Sequence, residues 1–149
     1  MIQEKAAGFI VFRNHPKSGL QYLVLYHRGN YWNFPKGGVE PGESELETAL
    51  RELKEETGVK DVKVVDGFRQ QTQFFFKGDE GLIKKDFVLY LAQAPMSAEV
   101  ITSDKYSHHE QINGYAWFDF KNAMKVLKFK NLKEILKEAD SFINSKIKK

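Results

Sequence analysis

Glu52, Glu55 and Glu56 follow one another at spacings of three and four, with Arg51 immediately before them. At a helical repeat these three acids project from one side of a helix, which the spacing sets opposite Leu46, Leu50 and Leu53. Clustered carboxylates repel, and a hard divalent cation with oxygen ligands, magnesium or manganese, relieves the repulsion. Such an ion bridges phosphate oxygens, neutralises their charge and lowers the pKa of a bound water. Upstream, Lys36-Gly37-Gly38 leads into the acids. Glycine lets backbone come close to a ligand, and a carbonyl at Gly37 is a further candidate metal ligand. The alternative is a solvated charged helix, the usual meaning of a charge run. The fixed distance from Gly37 and Glu43 to the acids weighs against it.

The spacing is specific. Gly37 is followed after five residues by Glu43, after seven more by Arg51-Glu52-Leu53, then by Glu55-Glu56 and Gly58-Val59. This segment resembles the box of the Nudix hydrolases at every defined position. The resemblance implies an α/β fold, a Nudix-type α/β/α sandwich with a mixed β-sheet between helices. It implies that Glu52, Glu55 and Glu56 are metal ligands or the water-activating base, and that Glu52 and Glu56 are catalytic together with Arg51. Arg51 would orient a carboxylate of the box, and Glu43 would hold the loop to the helix. Magnesium is the implied cofactor, with manganese as the substitute. A further acid is recruited from a late loop in such proteins, and Glu110 in His108-His109-Glu110-Gln111 is the candidate here. His108 and His109 suit an oxygen-rich site poorly as ligands.

The box gives a reaction class and leaves the substrate to residues outside it. Trp32-Asn33-Phe34-Pro35-Lys36-Gly37-Gly38-Val39-Glu40-Pro41-Gly42-Glu43 resembles the stretch entering the box in asymmetric diadenosine tetraphosphate hydrolases. Asp66-Gly67-Phe68, Lys85 with Val88-Leu89-Tyr90-Leu91-Ala92, and Tyr115-Ala116-Trp117 extend the resemblance, as does the Phe129-Lys130 region. It implies that Lys36 and Lys85 bind phosphate and that Phe74 and Tyr115 clamp an adenine ring. The products of diadenosine tetraphosphate would be ATP and AMP. Gly38 and Phe74 depart from the animal enzymes, which carry His and Tyr there. Phe-Pro-x-Gly-Gly-Val is also similar to RNA 5′-pyrophosphohydrolases, in which Gln is more common at the Lys36 position. A diphosphoinositol polyphosphate hydrolase would need a denser basic patch, and a non-catalytic nucleotide-binding module typically loses box glutamates that this chain keeps.

These side chains need a frame. Residues 6–13 and 20–27 read as strands around the turn cluster Asn14 to Gly19. Trp32-Asn33-Phe34 is a short extended piece, and Lys36 to Glu43 reads as loop. Leu46, Ala49, Leu50 and Leu53 set the helical period from Ser44 to Thr57, with Ser44 as N-cap and Gly58 as terminator. Residues 62–65, 68–76, 85–94 and 114–118 read as strands, and 120–127 and 132–143 as helices. Strands first, then one helix, more strands and terminal helices predict a mixed sheet covered on two faces.

Bulk properties bound the rest. A chain of 149 residues with 42% hydrophobic and 29% charged residues suits one domain, expected to span 1–149. A net charge of +3 helps to attract an anionic ligand but is far from the footprint of a nucleic-acid binder. No stable nucleic-acid partner is expected. The absence of cysteine excludes disulfides, thiolate zinc sites and cysteine nucleophiles. The apolar run from Ala6 to Phe12 is too short to cross a membrane. The expectation is a cytoplasmic, unanchored protein whose partner is a nucleoside polyphosphate; its oligomeric state is left open, with a monomer favoured.

Overall fold

The computed structural model describes residues 1–102 and 112–146. Strand β1 (Ile2–His15) and strand β2 (Gly19–His27) form a hairpin, with Phe12 opposite Tyr22. Two short strands follow, β3 (Tyr31–Asn33) on β2 and β4 (Lys36–Gly38) on β1. Helix α1 (Glu45–Thr57) comes next. Strands β5 (Lys63–Gly78) and β6 (Gly81–Gln93) make a long antiparallel hairpin, and β7 (Ile112–Phe118) pairs with β2. Helices α2 (Phe120–Val126) and α3 (Lys130–Lys146) close the chain.

The sheet order is β3-β2-β1-β6-β5, with β4 added on β1 and β7 on β2. The β1–β6 pairing is parallel and its neighbours are antiparallel, so the sheet is mixed as expected. Alternation along β1 separates two cores. Ala6, Ile10 and Phe12 pack with Leu132, Ile135, Leu136 and Ala139 of α3. Ala7, Phe9 and Val11 pack with Ala49 and Leu53 of α1. Helices therefore cover both faces.

Two readings change. Residues 36–38 are a strand, with Gly8 opposite Lys36 and Ala6 opposite Gly38. Their glycine content hides a long-range pairing that local propensity does not report. Residues 63–78 form one strand rather than two; its register shifts between Val64 and Arg69, where Gly67 takes a φ of 91°.

Candidate active site

Helix α1 starts and stops where its sequence dictates. The Ser44 side chain accepts from the Glu47 amide, and the Glu47 side chain accepts from the Ser44 amide, which closes a capping box. Gly58 ends the helix at a φ of 74°, its amide bonded to the Lys54 carbonyl. The orientation of the helix differs from the expectation. Glu52 and Glu56 are buried at 8% and 2% exposure, whereas Leu50 is 39% exposed. The rows Thr48-Glu52-Glu56 and Ala49-Leu53-Thr57 lie side by side on the helix surface and are buried together. The carboxylates thus border the apolar stripe rather than oppose it.

Each acid has a defined support. Arg51 donates from Nε to Glu43 Oε2 at 2.6 Å and from a terminal nitrogen to Glu43 Oε1 at 3.0 Å. It also donates to Glu52 at 2.9 Å, to Glu55 at 3.2 Å and to the Gly38 carbonyl at 3.0 Å. One guanidinium therefore ties the loop to two carboxylates of the helix. Thr48 and the Glu40 amide donate to the same Glu43 carboxylate. Glu43 is held down to a pKa of about 2, chiefly by its bond to Arg51, against an opposing contribution from burial. Arg51 is correspondingly raised, first by Glu43. Glu56 accepts from the Lys36 backbone amide at 2.8 Å. Glu45 is fixed differently. Arg69 grips both its oxygens at 3.0 Å, and Tyr90 and Lys5 also bond to it, so its pKa falls to about 2.

Gly37 is close to Glu52 in space. A Cβ at this position would lie 2.0 Å from the Glu52 carboxyl carbon and 2.2 and 2.4 Å from its oxygens. The φ of Gly37 is not in the left-handed region. Glycine is needed here because a carboxylate occupies the space of its side chain.

Two concavities meet over this loop. One, of about 380 Å³, is lined by Glu52, Glu55, Glu56, Gly37 and Gly38, with Lys36 and Lys85 at its side. The other, of about 310 Å³, is lined by Tyr31, Asn33, Phe74, Phe87 and Phe129, again with Lys36 and Lys85. Ala6, Lys36 and Lys85 belong to both. The Phe74 ring meets Phe129 edge-on at 5.3 Å, and Tyr31 stacks on His27 at 4.9 Å. Lys85 approaches Glu4 at 3.7 Å and the Phe76 ring at 5.7 Å.

The acids fit a hard divalent cation. All three supply oxygen donors to one cavity, and a glycine clears space around one of them. Among the described residues they do not already converge on one point, because Arg51 stands between Glu52 and Glu55.

Of the expected site residues, Gly37, Arg51, Glu52, Glu55, Glu56, Lys36 and Lys85 come together, and Phe74 sits next door. Tyr115 does not join Phe74. It lies 44% exposed on β7, opposite Leu25, and lines neither concavity. The sheet order puts β7 on β2, so that β2, β1 and β6 separate it from β5. The ring facing Phe74 is Phe129, just before α3, and Tyr31 and Lys128 complete the wall. The Phe129-Lys130 similarity was the available signal for that wall. Glu110, with His108 and His109, lies outside the described residues.

Comparison with known proteins fits this geometry. Residues 3–139 match the family described as NUDIX domain. The asymmetrical bis(5′-nucleosyl)-tetraphosphatase of Mus musculus is 32% identical over 151 residues, covering 95% of this chain and 96% of that protein. An RNA pyrophosphohydrolase of Pelagibacter ubique is 29% identical over 125 residues, covering 73% and 76%. The crystal structure of a C. elegans Ap4A hydrolase binary complex superposes with a TM-score of 0.78 at 23% identity, covering 95% of this chain and 98% of that one. With the glutamate box intact on α1 and the family match running across nearly the whole sheet and both helical layers, the chain belongs to the Nudix hydrolases.

Proposed function

We propose that this Nudix hydrolase cleaves diadenosine tetraphosphate asymmetrically, to ATP and AMP, with magnesium held by Glu52, Glu55 and Glu56. The observation that carries the reading is the junction of the two concavities at Ala6, Lys36 and Lys85. An aromatic chamber and an acidic chamber joined by two lysines suit a base linked to a polyphosphate. The base stacks on the wall that Phe74 and Phe129 form by their edge-on contact, which is worth about 1–3 kcal/mol. Lys36 and Lys85 take the negative charge of the phosphate chain. Anchoring the base fixes which phosphorus lies beside the acids.

A bound divalent ion would supply charge neutralisation and a more acidic water at the phosphorus. The protein's own groups set the geometry. Water attacks one phosphorus in line, its proton passes to a box carboxylate, and the bond to the bridging oxygen breaks. Glu56 is kept in place by the Lys36 amide, and Glu52 and Glu55 by Arg51. The Gly38 carbonyl, held by the same arginine, keeps the loop against the helix. Glu110 remains the candidate for a further metal-binding acid. The similarity to asymmetrical tetraphosphatases over nearly the full chain supports this substrate.

The test is a panel of diadenosine polyphosphates, triphosphorylated RNA and diphosphoinositol phosphates, incubated with magnesium in oxygen-18 water. The expected result is ATP plus AMP from the tetraphosphate, faster than any other turnover. Preferential release of pyrophosphate from RNA would replace this reading by the RNA 5′-pyrophosphohydrolase one. Indifference to dinucleotides would end it.

A further inference from the structure

Asn33 has an unusual position for a polar residue. It is 5% exposed, yet it lines the aromatic concavity together with Phe74, Tyr31 and Phe129. Its Oδ1 accepts from the Phe34 backbone amide at 2.7 Å. That bond fixes the orientation of the side-chain amide, because a flipped group would set two donors face to face. Nδ2 is therefore the end that remains. It has no hydrogen-bond partner among the described residues, and it is not sealed away from the cavity. A ligand that covers this donor must replace its bond to water, because a buried amide donor without a partner is costly.

We infer that Asn33 is a specificity-determining residue that donates from Nδ2 to a ring nitrogen of the stacked base. The proposal rests on the reading that the aromatic concavity takes the base. Stacking alone tolerates any base, since every base has a π-face. A directional donor at the wall of the same chamber adds what stacking lacks. Because Oδ1 faces the Phe34 amide, the group turned to the cavity is a donor, so the site selects a base edge that offers an acceptor, which in adenine is a ring nitrogen. Adenine offers N1, N3 and N7 as candidates.

The experiment measures nucleotide binding rather than turnover. The full-length protein is titrated with ATP and with its 1-deaza, 3-deaza and 7-deaza analogues in EDTA, so that hydrolysis does not enter. One analogue should bind about three- to tenfold more weakly than ATP, the loss of one neutral hydrogen bond. Asn33→Asp keeps an acceptor for the Phe34 amide but removes the donor. It should weaken ATP and abolish the difference between ATP and that analogue. If its melting temperature shows that it does not fold, Asn33→Ser takes its place; the shorter hydroxyl should likewise erase the difference. Equal binding of all four nucleotides to the wild-type protein overturns the inference. So does discrimination that survives in the folded variant. A loss on substitution that is equally large for inorganic tripolyphosphate also overturns it, by assigning Asn33 to phosphate. Failure of every nucleotide to bind overturns it as well, and all of these leave the hydrolytic reading standing, because the turnover panel with magnesium decides that reading separately.

Discussion

Gly37→Ala separates the chemistry of the site from the stability of the fold. The added Cβ would stand 2.0 Å from the Glu52 carboxyl carbon, where ordinary contact begins near 3.4 Å. The carboxylate must therefore retreat by roughly 1.4 Å (3.4 minus 2.0), by bookkeeping of the kind used for reacting-group placement. The obstacle is the far end of a flexible side chain rather than backbone, and Gly37 needs no left-handed φ. The cost to folding should be about 1 kcal/mol, at the low end for overpacking. The cost to catalysis should be larger, because a displacement of about 1 Å at a reacting group lowers rate by about 100-fold. The assay pairs thermal melting with initial rates on diadenosine tetraphosphate across a magnesium titration. A melting point within a few degrees of wild type, with kcat down about 100-fold and a raised magnesium requirement, is the expected pattern. Near-native kcat at saturating magnesium would refute the reasoning, since it would show that the exact seat of the Glu52 carboxylate does not matter.

Other outcomes follow from the same geometry. Glu56→Gln and Glu52→Gln should each lower turnover by orders of magnitude with circular dichroism unchanged; near-native turnover in both would remove the acids from the site. Arg51→Lys should cost activity although the charge is kept, because an ammonium cannot hold Glu43, Glu52, Glu55 and the Gly38 carbonyl together. A KM and kcat equal to wild type would argue against Arg51 as a positioning residue. Phe129→Ala should raise KM about 5- to 100-fold from lost stacking, while Tyr115→Ala stays within about twofold; the reverse order would return the clamp to Tyr115. Acid stability supplies a fourth check. Glu43 and Glu45 have folded pKa values depressed to about 2, so their contribution is present above the ordinary carboxylate range and is lost as pH falls from about 4.5 towards 2. Melting temperature should fall across that window, and less steeply in Glu43→Gln. An unchanged slope would mean that the Arg51–Glu43 pairing does not contribute to stability.

What could be read from the sequence was local. Ser44, Glu47 and Gly58 act within one turn of their own helix, so the limits of α1 follow from neighbours in the chain. The box survives translation into space for the same reason, since six of its nine defined positions lie on α1 or its C-cap. Failures of the reading begin where a residue answers to something far away. Leu50 fits the apolar period and is exposed, whereas Glu52 and Glu56 violate it and are buried. The Lys36 amide, brought beside the helix by the pairing of β4 with β1, satisfies Glu56. Neither the pairing nor the donor can be seen in the thirteen residues of α1.

The base chamber carries the same argument further. Tyr31, Asn33, Phe74 and Phe129 come from β3, β5 and the entry to α3, so no spacing rule links them. The choice of Tyr115 rests on resemblance alone, and in the structure the residue lies on β7, paired with β2, outside the chamber that Phe74 lines. The contrast has a physical basis. Metal-ligand carboxylates can share one helix, because a helix delivers side chains at i, i+3 and i+4 to one place. A base chamber needs several walls, and these walls come from elements that the chain joins only after folding. Hydrolytic chemistry in this fold is therefore written in one contiguous segment, while the choice of base depends on packing between distant strands. Substitutions in α1 should accordingly move kcat for every substrate alike, and substitutions at Asn33, Phe74 or Phe129 should move the ratio between substrates.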